Sequence, residues 1–139
     1  MRIKTTPEDF RVEELTDFSL SDAPGRFRVF RLTKRRRNTL DAVREAADAH
    51  NVPLSEVRVC GRKDRQGITI QYVTVPGARD LTYEADGLRV EHVGWSDVAA
   101  APARIRGNMF DVVLRDMPEE EADRVSRGLG RIGDCGFPN

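Results

Sequence analysis

Cysteine is scarce in this 139-residue chain: Cys60 and Cys135 stand far apart, with no further pair at zinc-ligand spacing. That argues against a disulfide framework and a Cys-based metal site, and leaves buried free thiols as the expectation. Long hydrophobic runs are missing as well. The longest strictly apolar stretch is Val98 to Ala101, far below the roughly 18 residues that cross a bilayer. Met1-Arg2-Ile3-Lys4-Thr5 leads into charged sequence, so no secretory signal or lipid anchor can be argued, and a soluble cytoplasmic protein away from membranes is expected. Net charge is absent too, with 23 Lys+Arg against 23 Asp+Glu. A uniformly basic nucleic-acid binder and a supercharged acidic tail are thereby excluded. The 39% hydrophobic residues suit one globular domain or a piece of a larger one, not two domains.

Zero net charge conceals an uneven distribution. Residues 1–70 carry 15 Lys+Arg against 11 Asp+Glu, and residues 71–139 carry 8 against 12. Within the first half, Arg26, Arg28, Arg31, Lys34, Arg35, Arg36 and Arg37 follow one another without an acid, interleaved with Phe27, Phe30 and Leu32. The alternation predicts a strand with a buried face whose end delivers the Lys34 to Arg37 cluster to solvent. Such a cluster either contacts the phosphates of a polyanion or simply solvates a strand edge against aggregation.

The rest of the chain reads as a mixed α/β (α+β) pattern with a largely antiparallel sheet and two main helices. Ile3 to Leu15 looks extended, and Asp22-Ala23-Pro24-Gly25 reads as a turn. Asn38 is placed to cap a helix whose apolar stripe is Leu40, Val43, Ala46 and Ala47, with Asn51 and Pro53 ending it. His50 then falls at the helix end, a dipole-complementing position that outweighs a catalytic reading. Strands are predicted over Glu56–Cys60, Ile68–Val75, Leu88–Val93 and Ile105–Leu114. A last helix starts at Pro118, with Glu119, Glu120 and Glu121 in its first turn and Ala122, Val125 and Leu129 on one face. Trp95 beside Gly94 reads as a packing anchor.

The glycine-bounded loop Gly61-Arg62-Lys63-Asp64-Arg65-Gln66-Gly67 separates two of these strands. Asp64 sits among Arg62, Lys63 and Arg65, which stabilise its ionised form and make it available as a nucleophile or base at neutral pH. Taken alone, the segment reads first as an exposed hairpin turn, since one carboxylate does not make an active site.

Read with other segments, the chain resembles the D-type family of tRNA pseudouridine synthases. The resemblance rests on Gly61, Lys63, Asp64, Arg65, Gly67, Thr69 and Gln71 in a Gly-x-Lys-Asp-Arg-x-Gly/Ala-x-Thr-x-Gln pattern. Lys4 to Glu14 resembles the family's opening segment, Asn38-Thr39 its helix start, and Gly107-Asn108-Met109-Phe110 its Gly-Asn-x-Phe motif. Four motifs in the family's order are far more specific than any one of them.

The resemblance implies an isomerase that breaks a uridine's N-glycosidic bond, turns the uracil and rejoins it through C5, without cofactor or metal. It implies Asp64 as the catalytic carboxylate, whether the attack falls on the ribose or the base. Phe110 is implied to pack against a base extruded from its RNA stack, Asn108 to hydrogen-bond near the base edge, and Lys4 to pair with the aspartate. Lys63 and Arg65 are expected on the substrate; Lys34, Arg35, Arg36 and Arg37 on the RNA backbone. The implied partner is tRNA, with position 13 as the target, and a monomer is the expectation for the complete chain. Family members are more than twice this length, and their next motif begins Pro-Asn-Tyr-Phe-Gly, whereas this chain stops at Gly136-Phe137-Pro138-Asn139. Residues 1–139 are therefore expected to be a partial, amino-terminal catalytic domain, inactive alone. The competing readings are a non-catalytic RNA-binding module and an inactive remnant of such an enzyme.

Overall fold

A computed structural model describes residues 1–63 and 65–135, with residues 132–135 described by backbone alone. Asp64 and residues 136–139, and the side chain of Cys135, lie outside the described residues. In chain order the strands are β1 (Arg2–Ile3), β2 (Phe10–Thr16), β3 (Phe27–Arg35), β4 (Arg58–Val59), β5 (Ile68–Pro76), β6 (Tyr83–Ala85), β7 (Leu88–Ser96), β8 (Ile105–Val112) and β9 (Leu114–Arg115). The helices are α1 (Thr39–Ala49) and α2 (Glu119–Cys135). No helix among the described residues is long and apolar enough to cross a membrane.

The fold is α+β. Six strands run in the order β6-β7-β3-β5-β2-β8, with β4 beside β5, and β1 and β9 form a separate two-stranded sheet. β3 pairs antiparallel with both β5 and β7, while β2 pairs parallel with β5 and antiparallel with β8. Alternation then sorts the side chains of β3. Phe30, Leu32 and Lys34 turn to the buried face. Phe30 and Leu32 meet Val73, Val75, Leu88 and Val90 under the Ala42, Val43, Ala46 and Ala47 stripe of α1. Burial of each large apolar side chain there contributes about 1.5–3 kcal/mol.

The predicted start of α1 is observed in full. The Asn38 side chain accepts a hydrogen bond from the Leu40 amide at 2.9 Å, satisfying one of the first-turn donors. At the other end His50 is the C-cap, and Asn51 takes a left-handed conformation with φ of 52°. The Val52 amide returns to the Ala47 carbonyl at 2.9 Å and that of Asn51 to Asp48 at 3.2 Å, a Schellman closure. The His50 ring contacts the Thr82 carbonyl at 2.6 Å. Trp95 packs edge-on against His92, with the Arg28 guanidinium over its ring.

Two expectations need correction here. The extended segment from Ile3 is interrupted by a 3-10 turn over Pro7–Asp9, because Asp9 folds back to accept the Thr6 amide at 3.0 Å. Lys34 is not delivered to solvent. β3 continues through Arg35, and the same alternation that buries Leu32 buries Lys34, leaving it 1% exposed. A third point was open: α2 runs on through Gly128 and Gly130. Its predicted apolar face is scarcely covered, with Leu129 60% exposed.

Candidate active site

The loop around Asp64 is held from beneath. Its approach segment, Gly61 to Lys63, lies where α1 begins and β5 starts, and three buried groups reach up to it. The Lys63 amide donates to the Thr39 hydroxyl at 3.2 Å. That hydroxyl donates to Gln71 Oε1 at 3.0 Å, and Gln71 Nε2 donates to the Gly61 carbonyl at 2.9 Å. Lys34 Nζ lies 3.5 Å from the Lys63 carbonyl. The Lys63 side chain, expected on the substrate, instead turns inward and pairs with the fully buried Glu14 at 3.0 Å. Glu14 Oε1 also faces the Tyr72 amide at 3.4 Å. A charge so far from water needs its partner, so the ammonium of Lys63 is committed. Nearby, burial foremost and then the Glu14 charge push the Cys60 thiol up to about 11, which keeps it neutral and unreactive.

The end of the loop enters β5 against Phe10. Gly67 has φ of 108°, and a Cβ there would run into the Phe10 carbonyl; the bare backbone permits the close approach. Phe10 also receives Lys4, whose Nζ lies 3.9 Å from the ring centroid. The same ring stands 6.1 Å from that of Phe110, tilted at 49°. The register of β2 and β8 sets Val12 opposite Phe110 and Glu14 opposite Asn108, so Phe110 and Asn108 share one face of β8 with each other. Phe110 is 59% exposed, which removes it from the core. Asn108 is exposed as well. Phe10 thus joins the Asp64 loop, Lys4 and Phe110, and sequence reasoning did not single it out. Its only signal was its place in the opening motif.

The cations divide. Arg35 Nε pairs with Glu8 at 2.7 Å, and the hydrogen bond from Arg35 holds the Glu8 carboxyl below its ordinary value. Arg37 pairs with Glu45 and reaches the Asp86 carbonyl. Arg36 takes a left-handed conformation, φ 54°, and its amide donates to the Gly67 carbonyl at 3.3 Å. It lines a cavity of about 410 Å³ with Lys4, Thr6, Pro7, Arg65 and Gln66. Among the described residues no carboxylate pairs with Arg36 or Arg65. No cluster of His, Cys, Asp and Glu among the described residues could hold a metal ion.

A tether keeps this cavity's outer wall in place. Asp9 receives both arms of Arg115, at 2.7–3.0 Å, and the Arg115 guanidinium holds its carboxyl down at about 2. The Asp9 carbonyl also accepts from the Val113 amide at 2.8 Å, so the turn before β2 is fixed to the strand end beyond Phe110.

The sequence profile described as tRNA pseudouridine synthase D (TruD) matches residues 1–139. The chain belongs to the tRNA pseudouridine synthase D family. Among curated TruD relatives, that of Leptospira interrogans is 32% identical over 138 residues, covering 99% of this chain and 34% of the relative. That of Anaeromyxobacter sp. is 33% identical over 140 residues, covering 99% of this chain and 39% of the relative. This chain therefore spans about a third of the length of the TruD proteins it matches. A crystal structure from Methanosarcina mazei that carries the TruD name superposes with a TM-score of 0.82 at 22% identity, over 97% of this chain and 32% of that one. At that identity it speaks to the fold, which the two share.

Proposed function

We propose that residues 1–139 form the amino-terminal part of the catalytic domain of a cytoplasmic tRNA pseudouridine synthase. The observation that carries this reading is the family match over the whole chain, joined to the convergence of the motif loop, Lys4 and an exposed Phe110 on Phe10. In the proposed reaction the Asp64 carboxylate attacks the target nucleotide, the glycosidic bond from C1′ to N1 breaks, and the uracil turns and rejoins through C5. As C1′ bonds to C5 the Asp64 carboxylate is released, the C5 proton leaves and N1 takes up a proton, so the product is an isomer of the substrate and neither cofactor nor energy source enters. Phe110 offers a ring to a base that has left its stack, Asn108 offers an amide on the same strand face, and Lys4 balances the aspartate. Arg36 and Arg65 take backbone phosphates. Position 13 of tRNA is the proposed target.

The test extends residues 1–139 with the remaining two thirds of the Leptospira relative and incubates the product with unmodified tRNA. Pseudouridine is expected, and Asp64→Asn should abolish its formation while tRNA binding persists. Turnover near the parental rate in that variant would remove Asp64 from the mechanism. A non-catalytic RNA-binding reading draws on the cavity lined by Arg36 and Arg65, which residues 1–139 supply by themselves. That reading is favoured if the extended chain binds tRNA without turnover. Residues 1–139 alone should bind weakly and turn nothing over, because the face of β8 that carries Phe110 stands open to water and cannot position a base. Turnover by residues 1–139 would show instead that this portion contains a sufficient site.

A further inference from the structure

Three of the buried polar residues beneath the motif loop have no part in binding or chemistry as proposed above, yet their bonds converge on the two residues that lead into Asp64. Each group in the relay has one available role. The Lys63 amide can only donate, so the Thr39 hydroxyl accepts from it and has its proton left for Gln71 Oε1. Gln71 must then turn Nε2 outward, where the Gly61 carbonyl receives it. Thr39 is 1% exposed and Gln71 0%. With water excluded, breaking any link strands a partner and costs more than a surface hydrogen bond would. Lys34 adds an ion–dipole hold on the Lys63 carbonyl.

We propose that Thr39, Gln71 and Lys34 are positioning residues for Asp64: they pin the main chain at Gly61 and on both sides of Lys63, so that the next residue starts from a fixed point. This rests on the synthase reading for what the fixed point serves, and on geometry alone for the pinning. It assigns Lys34 a task inside the protein in place of the phosphate contact expected from the basic run. Thr39 joins the helix to the loop, because the residue after the N-cap Asn38 is the one whose hydroxyl meets Lys63. Catalysis is sensitive to such placement. A displacement of about 1 Å at a reacting group costs on the order of 100-fold in rate.

Two measurements test the proposal, and the first needs no activity. Amide hydrogen exchange on residues 1–139 is compared for the parent, Thr39→Val, Thr39→Ser and Gln71→Met. Thr39→Val and Gln71→Met should each accelerate exchange at Lys63 about 10-fold or more, the worth of one buried hydrogen bond. The amides of β3 and of α1 beyond its first turn should keep their protection, and Thr39→Ser should behave as the parent. Unchanged exchange at Lys63, or protection lost throughout the fold, would overturn the proposal; should Thr39→Val fail to fold, Gln71→Met and Lys34→Met decide it by the same readout. The second measurement uses the chain extended with the Leptospira relative. There kcat should fall about 100-fold in Thr39→Val with KM for tRNA within about threefold, and Thr39→Ser should restore it. A loss expressed in KM instead would refute positioning. If the extended parent forms no pseudouridine, the synthase reading fails, and the exchange result still decides the relay.

Discussion

The β3–β5–β7 half under α1 and the β2–β8–α2 half end up opposite in character. In the first, Phe30, Leu32, Val73, Val75 and Val90 are sealed beneath Val43 and Ala47. In the second, Met109, Phe110, Val112, Val113 and Leu129 face water. Helix α1 lies across its strands, whereas nothing among the described residues lies across β8. Stability therefore resides in one half, and the groups that could meet a ligand are arranged on the other and at the seam between them. The β2–β5 pairing makes that seam, so the candidate site takes its rigidity from the core while its β8 face stays open to water.

Replacing one aromatic in each half tests this division most strongly. Phe30→Ala should cost about 3–5 kcal/mol of unfolding free energy, measured by denaturant titration. Phe110→Ala should leave that quantity within about 0.5 kcal/mol. In the extended chain it should cost about 1–3 kcal/mol in turnover through lost base stacking. Equal losses of stability would erase the distinction between the halves.

A smaller effect separates the cations at the seam. Arg36→Ala and Arg65→Ala should each lower the salt slope of tRNA binding by about 1, as a phosphate contact would. Arg35→Ala and Arg37→Ala should change it less, because Glu8 and Glu45 already occupy those guanidinium groups. Equal slopes for all four would return the cluster to a solvated strand end.

The smallest effect concerns the tether. Asp9 titrates near 2 in the folded chain and near 3.9 when unfolded. A depressed folded value means that the tether contributes fully above about pH 5 and is lost as pH falls towards 2. The stability gap between the parent and Arg115→Met should accordingly close over that window. A gap constant with pH would detach the tether from the Asp9 charge.

These contrasts also explain what was legible in the sequence. The α1 boundaries were readable because Asn38, Asn51 and Pro53 act locally, and β3 was readable from its alternation. Lys34 was misjudged because a run of cations outweighed the parity that places it on the same face as Phe30 and Leu32. Phe10 went unnoticed as the meeting point because its neighbours Gly67 and Phe110 reach it only through pairings between strands distant in the chain. No local pattern encodes that convergence. The inward turn of Lys63 was likewise invisible, since a buried partner such as Glu14 looks like any other acid in a charged strand.

The parallel pairing of β2 with β5 has a consequence for synthesis. A ribosome releases β2 early, yet its partners β5 and β8 emerge only after β3, α1 and the motif loop have been made. β3 can close on β5, and α1 on both, before β8 exists, whereas ring contact between Phe10 and Phe110 must await nearly the whole chain. Pairings of such long sequence separation are slow to form, and folding during translation proceeds from the amino terminus. A nascent chain thus completes its core while β2 still lacks β8, and β1, the first strand made, waits longer still for β9.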